Sequence, residues 1–427
     1  MATDAFGRLR TSDVFTLFEY YPSPYTAINL DNDMWIASTA GTASASYNSN
    51  TFVALSVSAN SSGSWRRSKA VIDYQPGKSR QFMLSMTPLS RSISAGESVT
   101  VRNGVYLPGG SGLPIEGMYL VVDENGIAFA EAKSSIENIV RQSNWNIDKF
   151  DGNGPSGLTL TSANMTNCLL VVLDQEWLGV GRVRCGFNLN GVTYYAHQFT
   201  HNNIQTPYTT TPRLPITYGI HSTTLSAGAI ATHQICCTAV SEGGFTPLGR
   251  RNNISTTFSG VDPQTANVSY VVLGVRLQTT LVGGVRSCIY PTGILKLQNM
   301  DCLLYTSSTS ANAGGLHATY EIQLHNSLTG IGSISNIPNF IAVDNSIAEK
   351  YQGDGNISTL VSAGYPIARF NLTQRAVFDF SQSEYETLLT RNQVCEGDTL
   401  YVIGIVNSTA NNLDPRFMCS LDIIETV

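Results

Sequence analysis

Charge is scarce in this chain. Asp, Glu, Lys and Arg make up 13% of its 427 residues, against about 25% in an ordinary soluble domain. The shortage argues against long solvent-facing helices, which are built from Glu, Lys and Arg. Dense basic runs are missing too. The chain has 25 Lys and Arg against 31 Asp and Glu, a net charge of -6. Coating nucleic acid needs a basic face, so direct genome packaging is not expected. The best basic clusters are Arg66, Arg67 and Lys69, then Arg250 and Arg251. They read as solvated loop charges or subunit salt bridges. No apolar run approaches the ~20 residues of a membrane helix, and the opening does not read as a signal peptide. No membrane contact is expected.

Chemical motifs are equally thin. The eight cysteines form no CxxC. Cys168, Cys236 and Cys237 lie in apolar surroundings and read as small buried hydrophobes of a protein folded in a reducing cytoplasm. Cys236 and Cys237 would point to opposite faces of a strand, where a mutual disulfide is strained. No P-loop and no nucleophile elbow is present. His197 and His201 have the HxxxH spacing of a zinc protease, but Gln198 stands where the general base belongs and the setting reads as strand. Asp148, Asp151, Asp174 and Glu176 are the acids nearest to a glycosidase pair, without spacing that sets them apart. The loop from Asp148 to Gly154 has oxygens for calcium but too few acids, and reads as a turn. No enzyme activity, metal or cofactor is expected.

What replaces the charge is Ser, Thr, Asn and Gly, with 42% hydrophobic residues. Alternation with period two dominates. In His317 to His325, Tyr320, Ile322 and Leu324 share one face, and Thr319, Glu321 and Gln323 the other. Further strands are expected at Gln81 to Met86, Met118 to Val122, Cys168 to Leu173, Val192 to Phe199, Val271 to Leu277, Ile294 to Leu297, Ala376 to Phe380 and Leu400 to Val406. Asn190-Gly191 between two strands is a hairpin signal. Helices are expected only at Glu384 to Arg391, capped by Ser383 with Glu386 in the capping box, and at Ser134 to Arg141. The fold class is therefore mainly β: tandem antiparallel β-sandwich, jelly-roll-like domains with an extended N-terminal arm. The boundaries fall at 1–20 for the arm, 21–245 for the first sandwich and 250–427 for the second. Trp145 and Trp177 read as core anchors, and Gly179 and Gly181 as a bulge or close approach within a strand. Arg182 and Arg184 would pair with Asp148, Asp151 or Glu176, or with a neighbouring subunit.

The arm, DAFGRLRTSDVFTLFE from Asp4 to Glu19, is too apolar to stay loose in water. It resembles the opening of a family of virion structural proteins of tailed phages and some large DNA viruses. The resemblance continues, in order, through Tyr74-Gln75-Pro76-Gly77-Lys78-Ser79, Asp123-Glu124-Asn125-Gly126-Ile127, and Asn144 to Lys149 leading into Asp151-Gly152 and Gly154-Pro155-Ser156-Gly157. It ends with Trp177 to Arg184, Gly186-Phe187 and the segment from Thr211 to Pro215. It covers roughly residues 4–220. Ala128 and Ala130 depart from it, being small where a larger apolar residue is expected.

The resemblance implies a non-enzymatic particle component, located in the virion after assembly in the host cytoplasm. Such a minor capsid, decoration or head-fibre protein would glue or cap subunits. Its contacts would be the arm residues Phe6, Arg8, Leu9, Arg10, Phe15, Leu17 and Phe18 on the major capsid protein or another virion protein. It would form a closed homo-oligomer, a trimer or dimer. Deleting residues 1–20 would then block incorporation and leave both sandwiches folded. The alternative is a tail or receptor-binding protein that recognises a host glycan through residues 250–427. Tyr20, Tyr21, Tyr25, Tyr194, Tyr195 and Tyr208 are candidates for stacking on sugars.

Overall fold

The computed structural model describes residues 14–22, 34–48, 51–68, 71–72, 74–242, 249–257, 259–262, 267, 269–282, 285–288, 294–306, 318–325, 341–344, 346, 348–352, 365–372, 375–379, 389–390, 399–406 and 415–426. The chain divides into two compact units, Met1–Thr246 and Pro247–Val427.

The first unit has fifteen described strands: β1 (Val14–Tyr20), β2 (Trp35–Ala40), β3 (Ala43–Asn48), β4 (Phe52–Val57), β5 (Ser62–Ser68), β6 (Arg80–Thr87), β7 (Ser98–Pro108), β8 (Pro114–Asp123), β9 (Gly126–Lys133), β10 (Ile136–Arg141), β11 (Leu169–Gln175), β12 (Val183–Leu189), β13 (Val192–Phe199), β14 (Ile216–Thr224) and β15 (Ile230–Glu242). One sheet runs β13-β12-β11-β6-β15-β4-β3, and β1 adds to β15. The other runs β10-β9-β8-β7-β14-β5-β2. The core is the alternate residues of both inner faces. Val53, Leu55, Phe82, Leu84, Val171, Leu173 and Phe187 come from the first sheet; Val99, Val101, Leu120, Phe129, Ile216 and Ile220 come from the second.

In the second unit the strands are β16 (Arg250–Ser255), β17 (Ser269–Leu277), β18 (Thr279–Val282), β19 (Val285–Cys288), β20 (Ile294–Thr306), β21 (Ala318–His325), β22 (Ile341–Ala342), β23 (Ala348–Gln352), β24 (Tyr365–Leu372), β25 (Arg375–Asp379), β26 (Leu389–Thr390), β27 (Thr399–Val406) and β28 (Pro415–Thr426). One sheet runs β16-β28-β20-β25 with β26 on β20, another β22-β23-β17-β27-β21-β24, and β18 pairs β19. Tyr270, Val272, Tyr320 and Ile322 meet Leu297, Met300, Phe417, Leu421 and Ile423 in its core. The mainly-β tandem sandwich is therefore the fold.

Over the described residues, every segment expected from alternation falls in a strand, save that β11 begins at Leu169, one residue after Cys168; His317 and Phe380 lie outside the described residues. Asn190 and Gly191 turn β12 into β13 with φ of 53° and 81°, the left-handed pair that a two-residue hairpin requires. Four expectations need correction. Ser134 to Arg141 is not a helix but mostly β10, paired with β9 through a hairpin at Ser134 and Ser135, both at positive φ. Of Glu384 to Arg391, only Leu389 and Thr390 are described, and they form strand β26. Arg66 and Arg67 are not loop charges. They lie buried in β5, with the Arg66 guanidinium 4.6 Å above the Trp35 ring and 2.6 Å from the Gln234 side-chain oxygen. Lys69 lies outside the described residues. Finally, Cys168 and Cys236 are exposed rather than buried.

Ala128 and Ala130 are buried in a small cluster with Tyr106, Tyr119, Val121 and Ala132. Tyr106 faces Gly117 and Tyr119 faces Gly104 across β7 and β8, and the glycines let the paired strands come close to each tyrosine's Cα and Cβ. Ala130 is the partner of Tyr119 in β9, and a larger residue there would displace it.

Candidate functional site

The loop joining β11 to β12, residues 176–182, is a braced turn that carries exposed apolar side chains. Gly181 N–H donates to the Trp177 carbonyl at 2.8 Å, and Glu176 N–H to Arg182 at 3.0 Å. Gly179 has φ of 78°, and a methyl on Gly181 would strike the Glu176 carbonyl. This is a tight turn, so the expected bulge within a strand is corrected, while the close backbone approach is present. Leu178 also has positive φ, 36°, a conformation that costs a non-glycine residue about 1–3 kcal/mol. Leu178 and Val180 are about half exposed, at 52% and 53%.

Two distant segments of the sequence hold this turn. Tyr74 Oη accepts the Leu178 N–H at 3.1 Å, and its ring meets Trp177 edge to face at 5.6 Å. Trp177 is half-buried, not a full core anchor, and its indole N–H donates to Thr209 at 2.8 Å. Trp145 is the buried one. Tyr208 N–H donates to the Gly179 carbonyl at 3.0 Å. Beneath them Arg80 is buried and donates to the Ile72 and Pro212 carbonyls and to Gln175. Tyr74 on one side and Tyr208 and Thr209 on the other, far from the turn in sequence, thus meet at it.

Beside the turn, His201 stacks on Tyr208 at 3.9 Å between centroids and contacts Glu131 at 3.0 Å and the Gly181 carbonyl. Burial works against a charged His201, but Glu131 and that carbonyl outweigh it, so the imidazole titrates above its usual range. His197 faces Phe199 instead and burial lowers its pKa. The two histidines do not share a metal geometry. Among the described residues, no three His, Cys, Asp or Glu gather to hold an ion, and no helix is long and apolar enough to cross a membrane.

The four acids considered for catalysis are spent on structure. Asp148 accepts the Phe150 and Ser156 N–H groups, each at 2.8 Å, and Asp151 accepts that of Asn153 at 2.9 Å. This is loop chemistry of the Asx type. Glu176 lies 3.4 Å from Arg182. Asp174 pairs at 2.5 Å with Arg184, a partner not among those expected.

Of the arm residues, Phe6, Arg8, Leu9 and Arg10 lie outside the described residues. Val14–Tyr20 is β1 of the first sheet, not a free arm. Phe18 and Tyr20 are buried against Trp35, Leu17 packs on the same core, and Phe15 is 43% exposed. Cutting at residue 20 would remove a core strand, so the expectation that this truncation leaves the sandwiches folded is corrected. Tyr25 is outside the described residues. Tyr20 and Tyr208 are buried, Tyr194 and Tyr195 half-buried, and Tyr21 exposed.

The second unit carries a different surface. Asn253 of β16 faces Asp422 of β28, Asp422 faces Asn299 of β20, and Asn299 faces Asp379 of β25. Directly paired residues project from the same face, so the four form one row of alternating amide and carboxylate. A bulge at Gln298 interrupts the β20–β28 register beside it. The row lines a groove of about 570 Å³ with Arg251, Asn252, Gln298 and Ile423. Sequence reasoning missed this row, because pairing between distant strands leaves no local signal. It also missed Leu178 and Val180, whose signal was the flanking glycines.

No protein-family model and no curated protein matches the chain. Solved structures do. The carbohydrate recognition domain of Emp47p is 12% identical, covering 55% of this chain and 98% of that one, with a TM-score of 0.32. A legume lectin-like domain from Entamoeba histolytica is 12% identical over 53% of this chain and 98% of that one, TM-score 0.32. A β-glucanase from Bacillus licheniformis is 13% identical over 52% and 97%, TM-score 0.32. Likeness at this level carries nothing about ligand or reaction.

Proposed function

We propose that this chain is a structural protein of a virus particle that joins subunits through its first unit. The observation that carries the reading is the pair Leu178 and Val180, half exposed on a strained turn whose backbone is fixed by Tyr74, Tyr208 and Gly181. Water gains nothing from a rigid apolar tip, whereas a pocket on a neighbouring subunit does. Strain is kept where the surroundings over-determine it, and such places are commonly functional. The occupant we assign is the major capsid protein or another protein of the same particle. The resemblance to virion structural proteins supports that setting, and two of its segments bear on the turn: the one from Trp177 to Arg184 contains it, and Tyr74 of another accepts the Leu178 N–H.

Particles assembled with a Leu178→Asp/Val180→Asp chain should lose it. Burying each aliphatic side chain contributes about 1.5–3 kcal/mol, so copies per particle should fall by roughly tenfold or more. Quantitative mass spectrometry against the major capsid protein reads this, with thermal melting showing that the variant still folds. Wild-type copy number in the variant would sink the proposal.

A second reading, recognition of a host glycan, is favoured by the polar row of the second unit, whose amides and carboxylates suit hydroxyl groups.

A further inference from the structure

The packing of the second unit does not use all of its polar row. Asn253 donates from its amide to Ser420 and Asp422, both at 2.7 Å. Arg251, however, makes no ion pair among the described residues, and the Asn299 side chain makes no hydrogen bond there. Both face the groove of about 570 Å³, a volume within the ordinary range of small-ligand sites. The bulge at Gln298, itself in the lining, is a further mark of a site, since bulges re-aim side chains beside binding centres.

We infer that this groove binds a neutral sugar laid across β16, β28, β20 and β25, an inference that rests on the glycan reading above. The edge of a sugar ring offers neighbouring hydroxyls, each both donor and acceptor. A carboxylate accepts from two of them, an amide presents a donor beside an acceptor, and a guanidinium offers parallel donors. Asp422, Asn299 and Arg251 supply one of each. Strands lie about 4.8 Å apart, close to the span of one pyranose ring, so successive members of the row meet successive parts of one ring.

Charge argues against an anionic ligand. Asp379 and Asp422 outnumber Arg251 in the lining. Spacing argues against capture through calcium. The two aspartates sit on strands either side of β20, about two strand spacings or ~10 Å apart, whereas calcium holds its oxygens at about 2.3–2.6 Å. The sugar is therefore held by direct hydrogen bonds.

The test uses the full chain on an array of neutral saccharides, then calorimetric titration of the best ligand with and without EDTA. The wild type should bind at least one neutral sugar, unchanged by EDTA. Asn299→Ala, Asp422→Ala and Arg251→Ala should each weaken it about tenfold or more, as loss of a charge-assisted or otherwise unreplaced hydrogen bond does. Arg251 and Asp422 are exposed, so thermal melting of their variants should match the wild type. Equal sugar affinity in all three variants would move the sugar elsewhere and leave the glycan reading standing. Binding abolished by EDTA would overturn direct recognition. No binding by the wild type at millimolar sugar would remove the glycan reading and this inference together.

Discussion

Asp174→Ala is expected to destabilise the first unit by about 3–5 kcal/mol, the cost of stripping one partner from a buried ion pair. Asp174 and Arg184 face each other across β11 and β12, with carboxylate and guanidinium 2.5 Å apart and side chains 0% and 10% exposed. Tyr195 closes the arrangement from β13. Its hydroxyl donates to the same carboxylate oxygen at 2.6 Å, and the guanidinium lies 4.3 Å from its ring centroid. Without Asp174 the cation stays in a place that water hardly reaches. For a unit of this size the loss corresponds to roughly 6–20 °C in melting temperature. Asp174→Ala/Arg184→Met should recover most of it, because two apolar groups leave no buried charge. Urea titration of the single and double variants measures both values. A loss below about 1 kcal/mol in the single variant would mean that the pair is solvated and the β11–β13 cluster does not depend on it.

The β architecture was legible because it is written locally. Alternation in the segment up to His325 places Tyr320 and Ile322 in the core, and Asn190-Gly191 is a turn whose residues tolerate positive φ. What escaped was written across the sheet. Ser134 and Ser135 turn a hairpin without the glycine that would announce it. The run Trp65-Arg66-Arg67 looks like surface charge. Yet Arg66 is buried because Trp35 and Tyr20, on two other strands, offer ring faces and a hydroxyl for its guanidinium. Asp174 and Glu176 look alike in sequence. One is sealed by Arg184 and Tyr195, the other meets Arg182 near the surface. The candidate surfaces divide in the same way. The glycines around Leu178 marked a tight backbone but not which side chains it displays. The row from Asn253 to Asp379 exists only once four strands are in register.

Acid should unfold the first unit through Glu97, and Glu97→Gln should blunt that response. The carboxylate is fully covered and accepts five hydrogen bonds. Arg91 gives two, at 2.8 and 3.0 Å, and the backbone N–H groups of Ser94, Ser226 and Ala227 give three, at 2.9, 3.0 and 2.7 Å. It thereby stitches the turn before β7 to the turn between β14 and β15. Arg91 above all, then those N–H groups, hold its carboxyl well below the usual range, and burial opposes them without prevailing. A depressed pKa means that the folded state favours the charged form. The stability it contributes is complete above the unfolded value of about 4.3 and is lost as pH falls toward the folded value. Asp148 acts in the same direction. Burial pushes its carboxyl up, but the N–H groups of Phe150 and Ser156 and the Ser156 hydroxyl outweigh it.

At pH 7, Glu97→Gln should cost about 2–3 kcal/mol, because a neutral amide replaces charge-assisted bonds and presents an N–H where donors already point. The gap between wild type and variant should narrow steadily below about pH 5, since protonation removes from the wild type what the substitution has already taken. Chemical denaturation from pH 7 to pH 3, followed by fluorescence of the tryptophans, records it; all four of the chain's tryptophans lie in the first unit. A gap that stays constant across that range would show that Glu97 is not the group whose protonation loosens these two turns.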